Sequence, residues 1–186
     1  LENFTGDLYI NLVIAALFII GGIGFSVIAD LYHRRKFTAF SLHTKLVLLA
    51  TAVLIGVGVA GVFILEYFNP ATLGNLPLTD KLTAAYFQGV TPRTAGFNTV
   101  PIGKLTSGTL FLTIILMFIG ASPGSTGGGL KTTTMGALLI ATYSLIIGKE
   151  KPELFRRTLP QEIIYRSLAI AIISLLVIVM ITLALS

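Results

Sequence analysis

The residues best suited to chemistry of any kind here are Thr94, Ala95, Gly96, Phe97 and Asn98, and the chemistry is ion coordination. Small residues in succession let backbone carbonyls turn to one side and replace the water shell of a cation, and Gly96 tolerates the dihedrals that such a turn demands. Thr91, Pro92 and Arg93 precede them, and the proline, with a fixed φ and no N–H, resists both helix and strand. A second segment runs Gly120, Ala121, Ser122, Pro123, Gly124, Ser125, Thr126, Gly127, Gly128 and Gly129. It breaks any helix, and its run of three glycines has little steric bias, which suits a loop that moves. Lys131 follows, with two roles open to its ammonium: to repel cations and so hold a closed state, or to donate to loose carbonyls of the break. On pattern alone, an ordinary external loop turning at Pro92 and a static helix break stand as the rival readings of the two segments.

The rest of the chain offers nothing for catalysis, and it is read as a non-enzyme. Its 186 residues include no cysteine and only two histidines, His33 and His43, too few for a metal site of their own. Glu66 and Asp80 flank one long connection while Glu150, Glu153 and Glu162 lie among bases, so no carboxylate pair is poised for acid–base work. Gly56, Gly58 and Gly61 satisfy a dinucleotide-binding pattern, but inside an apolar run with no strand or turn around them. Ala52, Gly56 and Ala60, at spacing four, point to helix packing instead. Leu130 stands where a phosphate-binding loop requires glycine before its lysine.

Both segments need a scaffold, and composition places that scaffold in lipid. The chain is 54% hydrophobic and 11% charged, with a mean hydropathy of +0.90, whereas soluble domains carry roughly 25% charged residues. Residues 8 to 29, 46 to 65 and 167 to 186 each read as an uninterrupted span, since a bilayer needs about 20 apolar residues per helix. Residues 110 to 148 as one helix would be roughly 58 Å long, about twice the hydrocarbon core. They are expected as a span broken by the loop at 120 to 131.

Arg34, Arg35, Lys36 and Lys45 make residues 30 to 45 basic, and five Lys and Arg do the same for 149 to 166, against three in the longer connection from 66 to 109. The first two belong in the cytoplasm and the third outside, so the net charge of +5 reports orientation, not nucleic-acid binding. In the external connection Thr79 and Asp80 are expected to cap a helix ending near Val90. At about 16 Å it reaches only halfway across, and the stretch 91 to 98 then returns outward, forming a re-entrant loop. The opening at Leu1, with Glu2 and Asp7 ahead of the first apolar run, reads as the interior of a longer protein.

Phe87 through Thr99, taken with Met117 through Thr134, resembles the Trk/Ktr/HKT potassium transporters, most closely the membrane subunit of the Ktr branch. The resemblance implies an all-α membrane protein of four helix–pore loop–helix repeats around one pore, with a re-entrant pore loop and a broken transmembrane helix. Residues 1 to 30 would hold the second helix of one repeat and 167 to 186 the first helix of another. Between them, 46 to 148 would be a complete repeat: helix 46 to 65, pore helix 79 to 90, filter 91 to 98, and broken helix 110 to 148 with its gate loop at 120 to 131. K+ is the implied cargo, bound at Thr94, Ala95 and Gly96 in a filter continuing through Phe97 and Asn98, with Gly96 the selectivity position. Gly120 to Gly129, with Lys131, would be the gate.

Arg93 is expected to point away from the ion path toward an acceptor behind the filter. The resemblance also implies the cell membrane, a homodimer and a cytosolic ring of nucleotide-binding regulatory subunits. It leaves sodium open as a regulator and calls for no organic cofactor in this chain. A non-conducting scaffold and an alternating-access transporter are the competing classes.

Overall fold

The computed structural model describes residues 4–93, 95–148, 152–154 and 157–185. Helices carry the fold: α1 (Leu8–Ile23), α2 (Phe25–Arg34), α3 (Leu42–Glu66), α4 (Leu78–Val90), α5 (Ser107–Phe118), α6 (Thr132–Ile146) and α7 (Gln161–Leu185). Between α6 and α7 two short strands, β1 (Glu153–Leu154) and β2 (Arg157–Thr158), pair antiparallel with Glu153 opposite Thr158. The all-α membrane class stands. α3 and α7, of 25 residues each, are apolar and long enough to cross a bilayer, at about 37 Å apiece.

Residues 8 to 29 do not form the single uninterrupted span that their apolar run suggests. α1 and α2 meet at 94° across Gly24, whose φ of +96° strains any other residue. A Cβ at this position would stand 2.6 Å from the carbonyl oxygen of Pro123. A hydropathy run is blind to such a bend, because the glycine that makes it has no polar side chain to interrupt the run.

Beyond the bend, Asp30 on α2 accepts from Arg34 Nε at 2.7 Å, from Ser41 N–H at 3.0 Å and from Thr44 Oγ1 at 2.6 Å, which ties α2 to the start of α3. α3 is the post against which α4 leans. A Cβ on Gly58 would lie 2.5 Å from the Gly89 carbonyl oxygen, and one on Gly89 would lie 2.5 Å from the Val59 nitrogen, so only two glycines permit this crossing. Gly61 leaves comparable room for Leu112 of α5. The small-residue face expected at Ala52, Gly56 and Ala60 is exposed instead. Glycine does pack these helices, but one face further round.

α4 matches the expected half-length helix, with one correction. Its N-cap is Pro77, with no side-chain cap bond, and Thr79 and Asp80 occupy the first turn, where Asp80 still suits the helix dipole. From Thr83 to Val90 nearly every side chain is buried, so α4 is surrounded by protein. The broken span is as expected, with α5 ending at Phe118 and α6 starting at Thr132. α7 begins at Gln161, so Glu162 and Arg166 are not in the connection but form an i,i+4 ion pair at 2.5 Å on its first turns.

The C-terminal end of α3 is gathered by a residue that the sequence marks only as a flank. Glu66, the last residue of α3, is fully buried. One carboxylate oxygen accepts from the Thr106 N–H and hydroxyl, both at 2.8 Å, and from the Thr109 hydroxyl at 2.5 Å. The other accepts from Asn69 Nδ2 at 2.7 Å and the Thr72 hydroxyl at 2.6 Å. One side chain thus joins the end of α3, the turn after it and the N-terminus of α5. Glu66→Ala strands these donors and is expected to destabilise the protein by on the order of 3 kcal/mol. Thermal unfolding in detergent micelles measures this, and a midpoint equal to that of the parent would count against the clamp.

Candidate functional site

α4 passes directly into a single 3-10 turn, Thr91–Arg93, and the chain then leaves helical geometry. Thr94 lies outside the described residues. Ala95 N–H donates to Thr91 O at 3.1 Å, and the Thr91 hydroxyl donates to Phe97 O at 2.5 Å, closing the segment into a small loop. At its apex Gly96 has a φ of +72°, with nothing within 4 Å of where a Cβ would stand. Among the described residues no donor reaches the carbonyl oxygens of Ala95 or Gly96. Phe97 stacks on Phe18 of α1 at 5.9 Å between centroids, and Phe18 meets Phe87 edge-on at 6.0 Å. Asn98 Nδ2 donates to Val100 O at 3.1 Å. Arg93 is buried and drawn back to α3, its Nη2 donating to Thr51 Oγ1 at 3.4 Å.

The second segment is folded back on itself. Ile119 and Leu130 form a parallel bridge, Leu130 N–H donates to Phe118 O at 2.9 Å, and Ala121 N–H donates to Gly128 O at 3.2 Å. This closeness requires glycine at two places. A Cβ on Gly120 would overlap the Gly128 carbonyl, and one on Gly129, whose φ is +74°, would stand 2.8 Å from Gly120 Cα. Gly128 has open space and Gly124 turns at φ +68°. Ser122 Oγ meets Thr132 Oγ1 at 3.1 Å, and the Ser125 hydroxyl donates to Ser122 O at 2.6 Å. Lys131 Nζ donates to Gly127 O at 2.6 Å, so of its two open roles the structure displays the contact with a loose carbonyl.

The loop is not free. α1 ends at Ile23, which leaves the carbonyls of Gly21 and Gly22 without helical donors, while the start of α2 leaves the Phe25 N–H without an acceptor. The loop supplies all three. Ser122 N–H donates to Gly22 O at 3.0 Å, Thr126 N–H and hydroxyl donate to Gly21 O at 3.2 and 3.3 Å, and Phe25 N–H donates to Gly124 O at 3.0 Å. The bend at Gly24 and the break between α5 and α6 are therefore one structure. Sequence reasoning missed Gly21, Gly22 and Gly24, whose only signal was three glycines within four residues of an otherwise bulky apolar run.

The two irregular segments, about 30 positions apart in the chain, line one cavity of about 420 Å³. Ala95, Gly96 and Phe97 form part of its wall, and Gly128 and Gly129 form another part.

Long apolar helices, a half-length helix ending in an irregular segment, and a broken span that shares its cavity define an integral membrane protein. Residues 1–186 match the TrkH family, described as cation transport protein, and the chain belongs to that family. It is 48% identical over 178 residues to the Ktr system potassium uptake protein B of Bacillus subtilis (strain 168), covering 96% of this chain and 40% of that protein. To the protein of the same name from Vibrio alginolyticus it is 39% identical, covering 92% of this chain and 38% of the relative. To the potassium/sodium uptake protein NtpJ of Enterococcus hirae it is 40% identical, covering 91% and 37%. The chain thus spans about two fifths of the length of these relatives.

Gly24→Ala sets a Cβ against the Pro123 carbonyl and strains the backbone, and it is expected to loosen the loop. Hydrogen exchange at the Ser122 and Thr126 amides should quicken by about tenfold, equivalent to roughly 1.4 kcal/mol of local opening. Unchanged exchange at both amides would show that the bend does not hold the loop.

Proposed function

We propose that residues 91 to 98 form one strand of a potassium filter, and residues 120 to 131 a gate beside it, in a protein that moves K+ across the cell membrane. The observation that carries this reading is the shared cavity, which brings Gly96 and the glycines of the loop to one space. The carbonyls of Ala95 and Gly96, free of described protein donors, are the oxygens a dehydrating cation needs, and Thr94 joins them by sequence position. The negative end of the α4 dipole favours the same charge. The names of the relatives support the cargo, two referring to potassium and one to potassium and sodium.

In this reading the loop moves only by exchanging its bonds to Gly21, Gly22 and Phe25, so a shift at the bend between α1 and α2 is transmitted to the gate. Lys131 keeps its charge beside the loop through Gly127 O and sets a barrier to cations while that bond lasts. The word system in the relatives' names fits a subunit that works with other components. A homodimer and a cytosolic nucleotide-binding ring follow from the resemblance, with residues 30 to 45 and 149 to 166 as contact surfaces, and sodium as a regulating ion.

The test uses the complete gene product in a strain that cannot take up potassium. It is expected to restore growth at low K+, whereas Gly96→Ser should reduce discrimination of K+ against Na+ by at least about tenfold, or roughly 1.4 kcal/mol. An unaltered K+ to Na+ uptake ratio would refute the filter. The gate has its own test, because the loop has room for a methyl at Gly128 and none at Gly129. Gly129→Ala should abolish regulation of flux while leaving the ion ratio unchanged, and Gly128→Ala should leave regulation intact. Normal regulation in Gly129→Ala would refute the gate.

A further inference from the structure

α2 meets α1 at 94°, so where α1 runs across the bilayer α2 runs along it. With 16 residues, α1 is about 24 Å long, which covers most of a hydrocarbon core of roughly 30 Å. The far end of α2 is tied through Asp30 to Ser41 and Thr44, at the start of the 25-residue span α3. A helix that turns off one span and ends at the foot of the next lies near one membrane face. The Lys and Arg counts make that face the cytoplasmic one.

The residues of α2 sort into three faces. Val27 is fully buried, and Leu31, one turn on, is half-buried. Asp30 and Arg34 form an i,i+4 ion pair at 2.7 Å on a second face. Phe25, Ile28 and Tyr32 share the third at spacings of three and four, and all three are exposed, Phe25 by 78% and Tyr32 by 72%. An apolar stripe beside a polar face, on a helix that runs along a membrane, is the pattern of an interfacial helix.

Positive charge gathers where α2 ends. Asp30 neutralises Arg34, but Arg35 and Lys36 follow, both exposed and without an ion pair among the described residues. Arg34 Nη1 donates to Ala39 O at 2.6 Å and Lys45 Nζ to Thr38 O at 3.1 Å, so the turn Phe37–Ala39 draws two further cations to the same place. Phe37 is exposed on that turn, with Lys45 Nζ 5.7 Å from its ring centre. Rings suited to the acyl boundary thus stand beside cations suited to phosphate.

We propose that α2 lies in the cytoplasmic membrane interface, with Phe25, Ile28 and Tyr32 among the acyl chains and with Arg35 and Lys36 on the phosphates of anionic lipid. The charge beside the stripe selects this occupant. An apolar helix from the rest of the protein would cover the stripe and leave Arg35 and Lys36 unpaired, whereas an anionic lipid answers both. Neither the filter nor the gate is needed for this binding.

The experiment follows hydrogen exchange at the α2 amides from Ala29 to His33 in the complete gene product, without cytosolic partners. The protein is held in nanodiscs of phosphatidylcholine alone or of phosphatidylcholine and phosphatidylglycerol in equal parts. A basic side chain at an anionic surface contributes about a fivefold factor, so Arg35 and Lys36 together should make exchange roughly twentyfold slower with phosphatidylglycerol present. The double variant Arg35→Gln, Lys36→Gln changes two exposed side chains and should bring that difference below about twofold. Tyr32→Ser takes a ring from the acyl boundary and should quicken exchange by about fivefold in both lipids. Equal exchange of the parent in the two lipids would overturn the proposal, as it would if protein covered the stripe. A lipid difference that survives in the double variant, or parent-like exchange in Tyr32→Ser, would overturn it as well. So would the same slowing by inorganic phosphate added to phosphatidylcholine nanodiscs, since a soluble anion would then be the partner.

Discussion

Peptide groups that leave a helix within an apolar environment must find partners in the protein, because lipid offers none. Two of the places where this chain departs from helix are the bend at Gly24 and the break from Ile119 to Lys131. Each supplies what the other lacks. The carbonyls of Gly21 and Gly22 and the N–H of Phe25 are orphaned by the bend, and they are met by the N–H groups of Ser122 and Thr126 and the carbonyl of Gly124. The position of the glycine-rich loop is therefore set by α1 and α2 as much as by the span it interrupts.

Much else follows from where that loop is held. It forms part of the wall of the cavity whose other lining includes Gly96, so its docking determines what stands beside the proposed filter. α4 is fixed against α3 by the contact between Gly58 and Gly89, and the C-terminal end of α3 is fixed by the bonds to Glu66. The strengths differ in kind. A buried carboxylate with five donors is a permanent joint, whereas the few hydrogen bonds between the loop and the bend contribute about 1 kcal/mol each. Coupling energies between sites are typically about 1–3 kcal/mol, the same scale as these few bonds.

The sequence disclosed some of this and was silent on the rest for physical reasons. The broken span was legible because residues 110 to 148 are too long for one crossing, and α4 because an acidic first turn precedes a short run ending at proline. Both are local facts of length and turn chemistry. The bend at Gly24 was not legible, since its cause is a bond network with residues 100 positions away and its glycine leaves hydropathy untouched. The packing face of α3 was misplaced for a related reason: spacing identifies small residues, but only the partner helix decides that Gly58 is used and Gly56 is not. Pro77 in place of Thr79 at the N-cap, and Gln161 as the start of α7, are boundary shifts within the same elements. Glu66 gave no sign of its role, because its donors come from two separate stretches of chain, Asn69 to Thr72 and Thr106 to Thr109.

The filter claim turns on whether a cation sits among the carbonyls of residues 95 to 97. Anomalous scattering from rubidium or thallium, exchanged for potassium in crystals of the complete protein, locates that cation directly. The account predicts a peak coordinated by the carbonyl oxygens of Ala95 and Gly96, lost when sodium replaces the heavier ion. Occupied ion density elsewhere along the pore, with those carbonyls bonded to protein, would contradict it.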